Sequence, residues 1–137
     1  MYAIGGYDGS SDLASCEVYN SLTNQWSFIS TMNVPRCIPG ACVVGGMLYA
    51  VGGCDRSMSL NSTEVYHPET DTWTMILGMS KPRSGVGAAS VQGRIYAIGG
   101  YTGTEFCRSV ECYDPQTRKW HFMSSMKIGR KRFGCCS

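Results

Sequence analysis

The stretch Tyr96-Ala97-Ile98-Gly99-Gly100 decides the fold, because the chain carries it three times. Tyr49-Ala50-Val51-Gly52-Gly53 stands 47 residues before it, and Tyr2-Ala3-Ile4-Gly5-Gly6 another 47 before that. A repeat of constant length marks a supersecondary unit that cannot bury its own apolar face and stacks on copies of itself. The same step superposes Glu17, Glu64 and Glu111, then Tyr19, Tyr66 and Tyr113, then Trp26, Trp73 and Trp120. It also superposes Arg36, Arg83 and Arg130. No copy needs an insertion, and the repeats run over about 1–46, 47–93 and 94–137.

Within one copy the pattern predicts four short strands and no helix. Gly87-Ala88-Ala89-Ser90-Val91 is small and apolar, and Gln92-Gly93 is a two-residue hairpin turn. Ile95 to Ile98 is β-branched and aromatic, Ser109 to Tyr113 alternates polar with apolar, and Trp120 to Met123 follows the turn Asp114-Pro115-Gln116-Thr117. No segment of 10 or more residues shows an apolar period of 3.6. Four antiparallel strands in a unit of this length make a blade of a β-propeller. Blades taper toward the axis, so the glycine- and alanine-rich strand is expected innermost. Tyr96, Tyr113 and Trp120 are expected further out, between blade faces.

Hydrophobic content of 43% against 16% charged residues suits a core-forming chain rather than a disordered one. A net charge of +2 gives no argument for nucleic acid or membrane. No apolar run reaches a membrane-spanning length. Met1 opens directly on a strand-like motif, and no secretory leader is expected. The eight cysteines show no zinc-type pair. Stepping by 47 places Cys16, Cys42, Cys107, Cys112, Cys135 and Cys136 opposite Ala, Val, Leu or Thr. Those six are therefore expected as small buried hydrophobes with reduced thiols, in a cytoplasmic setting. Cys37 and Cys54 fall at loop positions, where a redox role would need a lowered pKa.

The double glycine after the YAIGG strand, the tyrosine ending the third strand and the tryptophan seven residues later resemble Kelch repeats, over the whole chain. Asn61 to Trp73 and Ser109 to Trp120 resemble the blades of BTB–Kelch proteins. That resemblance implies an all-β chain of three Kelch blades, a partial propeller without cofactor or metal. It also implies a non-catalytic substrate-recognition module of a cullin-RING ubiquitin ligase, reached through a BTB region not present here. Actin binding, as a cytoskeletal scaffold, is the alternative the same resemblance implies; a remnant of a propeller enzyme is a third. Six blades are usual in that family. The three here are either part of a longer product or half of a head-to-tail homodimer. In the ring, Phe133-Gly134-Cys135-Cys136 would complete the partner's first blade.

The loops sort onto two faces. The face holding the loops after each double glycine carries nine bases, including the three repeated arginines, against Asp8, Asp12, Asp55 and Glu105. A basic face favours an acidic peptide segment, since arginine pairs carboxylates bidentately. Residues that every blade repeats are expected to serve the blade, the repeated arginines and glutamates among them as pairs. The variable ones are then the candidates for partner contact. These are Arg56, Arg108, Lys131 and Arg132, with Tyr7 and Tyr101 as aromatic anchors and Ser57 and Thr102 as hydrogen-bonding neighbours. Catalysis is not expected. His67 and His121 lie in an outer turn and an outer strand, and no phosphate loop, nucleophile elbow or HExxH motif occurs.

Overall fold

In the computed structural model, which describes residues 1–137, thirteen strands and no helix follow one another along the chain. Eleven of them form three antiparallel sheets in sequence, and the other two form a short hairpin. The first contains β1 (Tyr2–Ile4), β2 (Cys16–Asn20) and β3 (Gln25–Ile29). The second contains β4 (Gly40–Val44), β5 (Met47–Val51), β8 (Thr63–His67) and β9 (Thr72–Ile76). The third contains β10 (Gly87–Val91), β11 (Arg94–Ile98), β12 (Val110–Asp114) and β13 (Lys119–Met123). Register repeats with the sequence: Tyr49 pairs Val65 and Tyr96 pairs Cys112. The strands expected from the third copy agree to within one residue. The first two 47-residue repeats therefore each supply three strands of one sheet and the inner strand of the next, and the third supplies three strands.

The inner strands are small because they crowd one another. A Cβ on Gly40 would stand 2.8 Å from the Ala88 Cβ, so β4 and β10 touch almost backbone to backbone. The aromatic residues sit outside them, as expected. Tyr66 and Trp73 stack at 5.2 Å, and the Trp73 indole donates 2.9 Å to the Ser30 carbonyl of the preceding blade. Trp120 repeats the bond, donating 2.7 Å to Leu77 O. Burial then follows position in the array. Trp73 is 8% exposed in the middle blade, whereas Trp26 at the open edge is 45% exposed.

Two expectations are corrected. A short hairpin, β6 (Cys54–Asp55) with β7 (Met58–Ser59), stands in the loop after the second double glycine, where only loop was expected. Of the six cysteines expected inside, Cys16, Cys107 and Cys112 are buried, Cys42 and Cys135 are half-buried, and Cys136 is exposed. Cys135 and Cys136 lie in a terminal segment that pairs with no sheet, and Cys42 sits on the inner strand β4, half-covered by the core around Tyr49. Phe133 to Cys136 pairs with no sheet, although the Phe133 ring packs against Gly87.

Candidate interaction face

The face is built by the double glycines. Gly5, Gly52 and Gly99 all have φ between 54° and 61°. A side chain on Gly52 would run into the Arg83 carbonyl, and one on Gly99 would stand 2.6 Å from the Arg130 carbonyl. The second glycine donates to the same carbonyl, at 2.8 Å from Gly6 to Arg36 and 2.9 Å from Gly53 to Arg83. Each loop is thus hooked to the segment that leads into the next blade.

The residue after each double glycine pairs with the residue five further on: Tyr7 with Asp12, Cys54 with Ser59, Tyr101 with Phe106. It also pairs with the residue after the preceding blade's repeated arginine. Cys37 and Cys54 exchange backbone bonds of 2.8 and 2.9 Å, and Ser84 and Tyr101 exchange two of 2.9 Å. A narrow band of backbone pairing therefore crosses from blade to blade on this face.

The repeated arginines are not part of its charge. Arg36 and Arg83 are fully buried, so their two charges leave the surface count. All five Arg36 donors are accepted. Nε and Nη2 reach Glu64 Oε1 at 3.1 and 3.0 Å, Nη1 reaches Gly52 O and Ser62 O, and Nη2 reaches Ser62 Oγ. Arg83 repeats the set on Glu111, Gly99 and Ser109. Burial pulls the Arg36 pKa down, and the charge and hydrogen bonding of Glu64 hold it up. The expected pairing is observed for Arg36 and Arg83, and it joins neighbouring blades. The expected nine bases against four acids become seven against four.

The candidate contact residues separate into two groups. Tyr7, Arg56 and Ser57 line a cavity of about 760 Å³ between the first two blades, together with Asp12, Cys37 and Cys54. Its charge is mixed, because Asp12 accepts the Arg56 amide at 2.8 Å. Tyr101, Thr102 and Lys131 form the second group, on the third blade. The Lys131 ammonium lies 4.4 Å above the Tyr101 ring and 5.4 Å from Phe106. The Thr102 hydroxyl accepts from the Glu105 amide at 3.1 Å and shapes its own loop. Arg132 packs its stem against Gly85, and its charge opposes the burial-driven rise in the Cys54 thiol pKa. Arg108 is exposed in the loop before β12 and lines neither group.

A Kelch motif matches residues 1–33, 35–80 and 82–127. The chain belongs to the Kelch-repeat family. Membership accounts for the framework of glycines, arginines and glutamates. It leaves the variable Kelch loop residues to be read one at a time. Phe106 was not singled out in the sequence, yet its position relative to Tyr101, the same as that of Asp12 to Tyr7, would have revealed it. Burial pushes the Cys54 thiol up to about 11, with the neighbouring Cys37 and Asp12 acting in the same direction. That opposes the lowered pKa a redox role requires.

Proposed function

We propose that this Kelch chain is a protein-recognition module whose ligand is an acidic segment of a partner protein. On this reading it is the substrate-recognition part of a cullin-RING ubiquitin-ligase adaptor, working in the cytoplasm. The observation that carries the recognition reading is backbone strain. Arg56, Ser57 and Arg132 have φ of 47°, 69° and 54°, the left-handed region that glycine enters without cost. The positions equivalent to Arg132, Ile38 and Gly85, have φ of 46° and 58°, so every copy adopts this conformation there. All three side chains are exposed and make no hydrogen bond within the chain, although the Arg132 stem packs against Gly85. The two-residue turn of the β6–β7 hairpin needs positive φ at both central positions and is ordinarily filled by Asn, Asp or Gly. Arg56 and Ser57 carry about 1–3 kcal/mol of strain each there, and the choice of these residues points to a use of their side chains.

The test separates fold from recognition. Arg132→Gly and Arg56→Gly leave the thermal midpoint unchanged or raised, while affinity for acidic peptides selected from a displayed library falls. Selection from that library should enrich Asp- and Glu-rich sequences whose binding weakens with salt. A library that enriches no acidic sequence, or glycine variants that bind as the parent does, defeats the reading.

A further inference from the structure

We infer that the two open edges of this chain are the two halves of one blade joint, and that a second copy of the chain closes it. Each joint inside the chain has the same parts. An arginine reaches a glutamate 28 residues on, as Arg36 does Glu64 and Arg83 does Glu111. It also reaches a glycine carbonyl and a serine carbonyl and hydroxyl. A backbone amide three residues before the arginine donates to the same glutamate, Asn33 at 2.7 Å and Ser80 at 2.8 Å.

Both halves of a third joint are present and unpaired. Arg130 is exposed, with no bond from its guanidinium, and the amide equivalent to those of Asn33 and Ser80 belongs to Lys127. At the opposite edge, Glu17 has no partner. Ser15 stands where Ser62 and Ser109 accept, Gly5 where Gly52 and Gly99 accept. Trp26 stands where Trp73 and Trp120 donate to the blade before them, and its indole has no acceptor. The pairing band is open too. Lys131 occupies the position of Cys37 and Ser84, and Tyr7 that of Cys54 and Tyr101, each without its inter-blade backbone bond.

The edges also match in strand content. The first sheet offers the free side of β1, while Gly134 to Ser137 align with the inner strands β4 and β10 and have no sheet partner. Carrying the observed register across places Gly134 opposite Ile4 and Cys136 opposite Tyr2, as Cys42 lies opposite Tyr49. One edge presents cations, Lys127, Arg130 and Lys131, and the other presents the unpaired Glu17. Three blades cannot close on themselves, since propellers run from about 4 to 8. Two copies joined twice, Arg130 of each to Glu17 of the other, give six.

Sedimentation velocity of the 137-residue chain at tens of micromolar tests this. The expected species has twice the 14.9 kDa mass of one chain. Arg130→Ala and Glu17→Ala, each alone, should weaken association at least about a hundredfold, as expected when one partner of a buried pair is removed. Both should keep the circular dichroism of the parent, because neither side chain bonds within its own chain. A parent that stays monomeric at about 100 μM overturns the inference and leaves the edges to further blades of a longer polypeptide. So does a dimer indifferent to both substitutions, or an assembly that grows beyond two copies with concentration.

Discussion

At the scale of single residues, the 47-residue step works as an internal mutagenesis experiment. Thr63 is fully buried at the start of β8, and its hydroxyl has no hydrogen-bond partner. The equivalent positions hold Cys16 and Val110, which bring no such hydroxyl. An unsatisfied buried hydroxyl costs about 1–3 kcal/mol, and valine has nearly the shape of threonine. Thr63→Val should therefore stabilise the chain by about 1 kcal/mol or more, read as an upward shift of the urea midpoint at constant slope. A lower midpoint would mean that the hydroxyl is satisfied after all. Repetition alone also identified Arg36 and Arg83 as framework rather than ligand residues. It could not tell that they are wholly buried, because burial depends on a neighbouring blade and not on the residue's own strand.

At the scale of elements, the double-glycine loop converts a strand end into a clasp on the next connection. Gly45 and Gly52 make the distinction measurable, with φ of 57° and 60°. A Cβ on Gly45 meets nothing within 4 Å, whereas one on Gly52 collides with the Arg83 carbonyl. Both Gly→Ala changes carry the left-handed cost of about 1–2 kcal/mol. Only Gly52→Ala must also move the segment that holds the Arg83–Glu111 pair. Chemical denaturation should show Gly52→Ala losing clearly more stability than Gly45→Ala, and equal losses would remove the clasp from the account. Strands were legible because alternation, turn residues and repeat length agreed. The β6–β7 hairpin was not, since its turn is Arg56-Ser57 rather than the Asn-Gly or Asp-Gly that announces such a turn. The candidate site was legible only in part for the same reason. Loop side chains carry no periodicity, and what groups Tyr7 with Arg56, or Lys131 with Phe106, is contact between or across loops.

At the scale of the molecule, the sheets form an array in which each touches only its neighbours, so stability is a sum of blade terms and joint terms. The middle blade has a joint on both sides, through Arg36–Glu64 and Arg83–Glu111, and each outer blade has one. Burial reflects this: Trp73 of the middle blade is 8% exposed against 45% for Trp26 of the first, and Glu64 is fully buried where the equivalent Glu17 is only half-buried. Local opening should follow the same order. In dilute protein, amide exchange should be slowest in β5 and β8, faster in β11 and β12, and fastest in β1 and β3. The gradient runs that way because the first sheet lacks an inner strand, so one side of β1 has no backbone partner. Raising the concentration into the range where copies associate should then protect β1 selectively, since that is the strand the incoming Gly134 to Ser137 would cover. Exchange measured by mass spectrometry at two concentrations reads both effects at once. Uniform protection across the three sheets when dilute would show that joints do not limit opening. A gradient unchanged by concentration would mean that the free side of β1 stays uncovered.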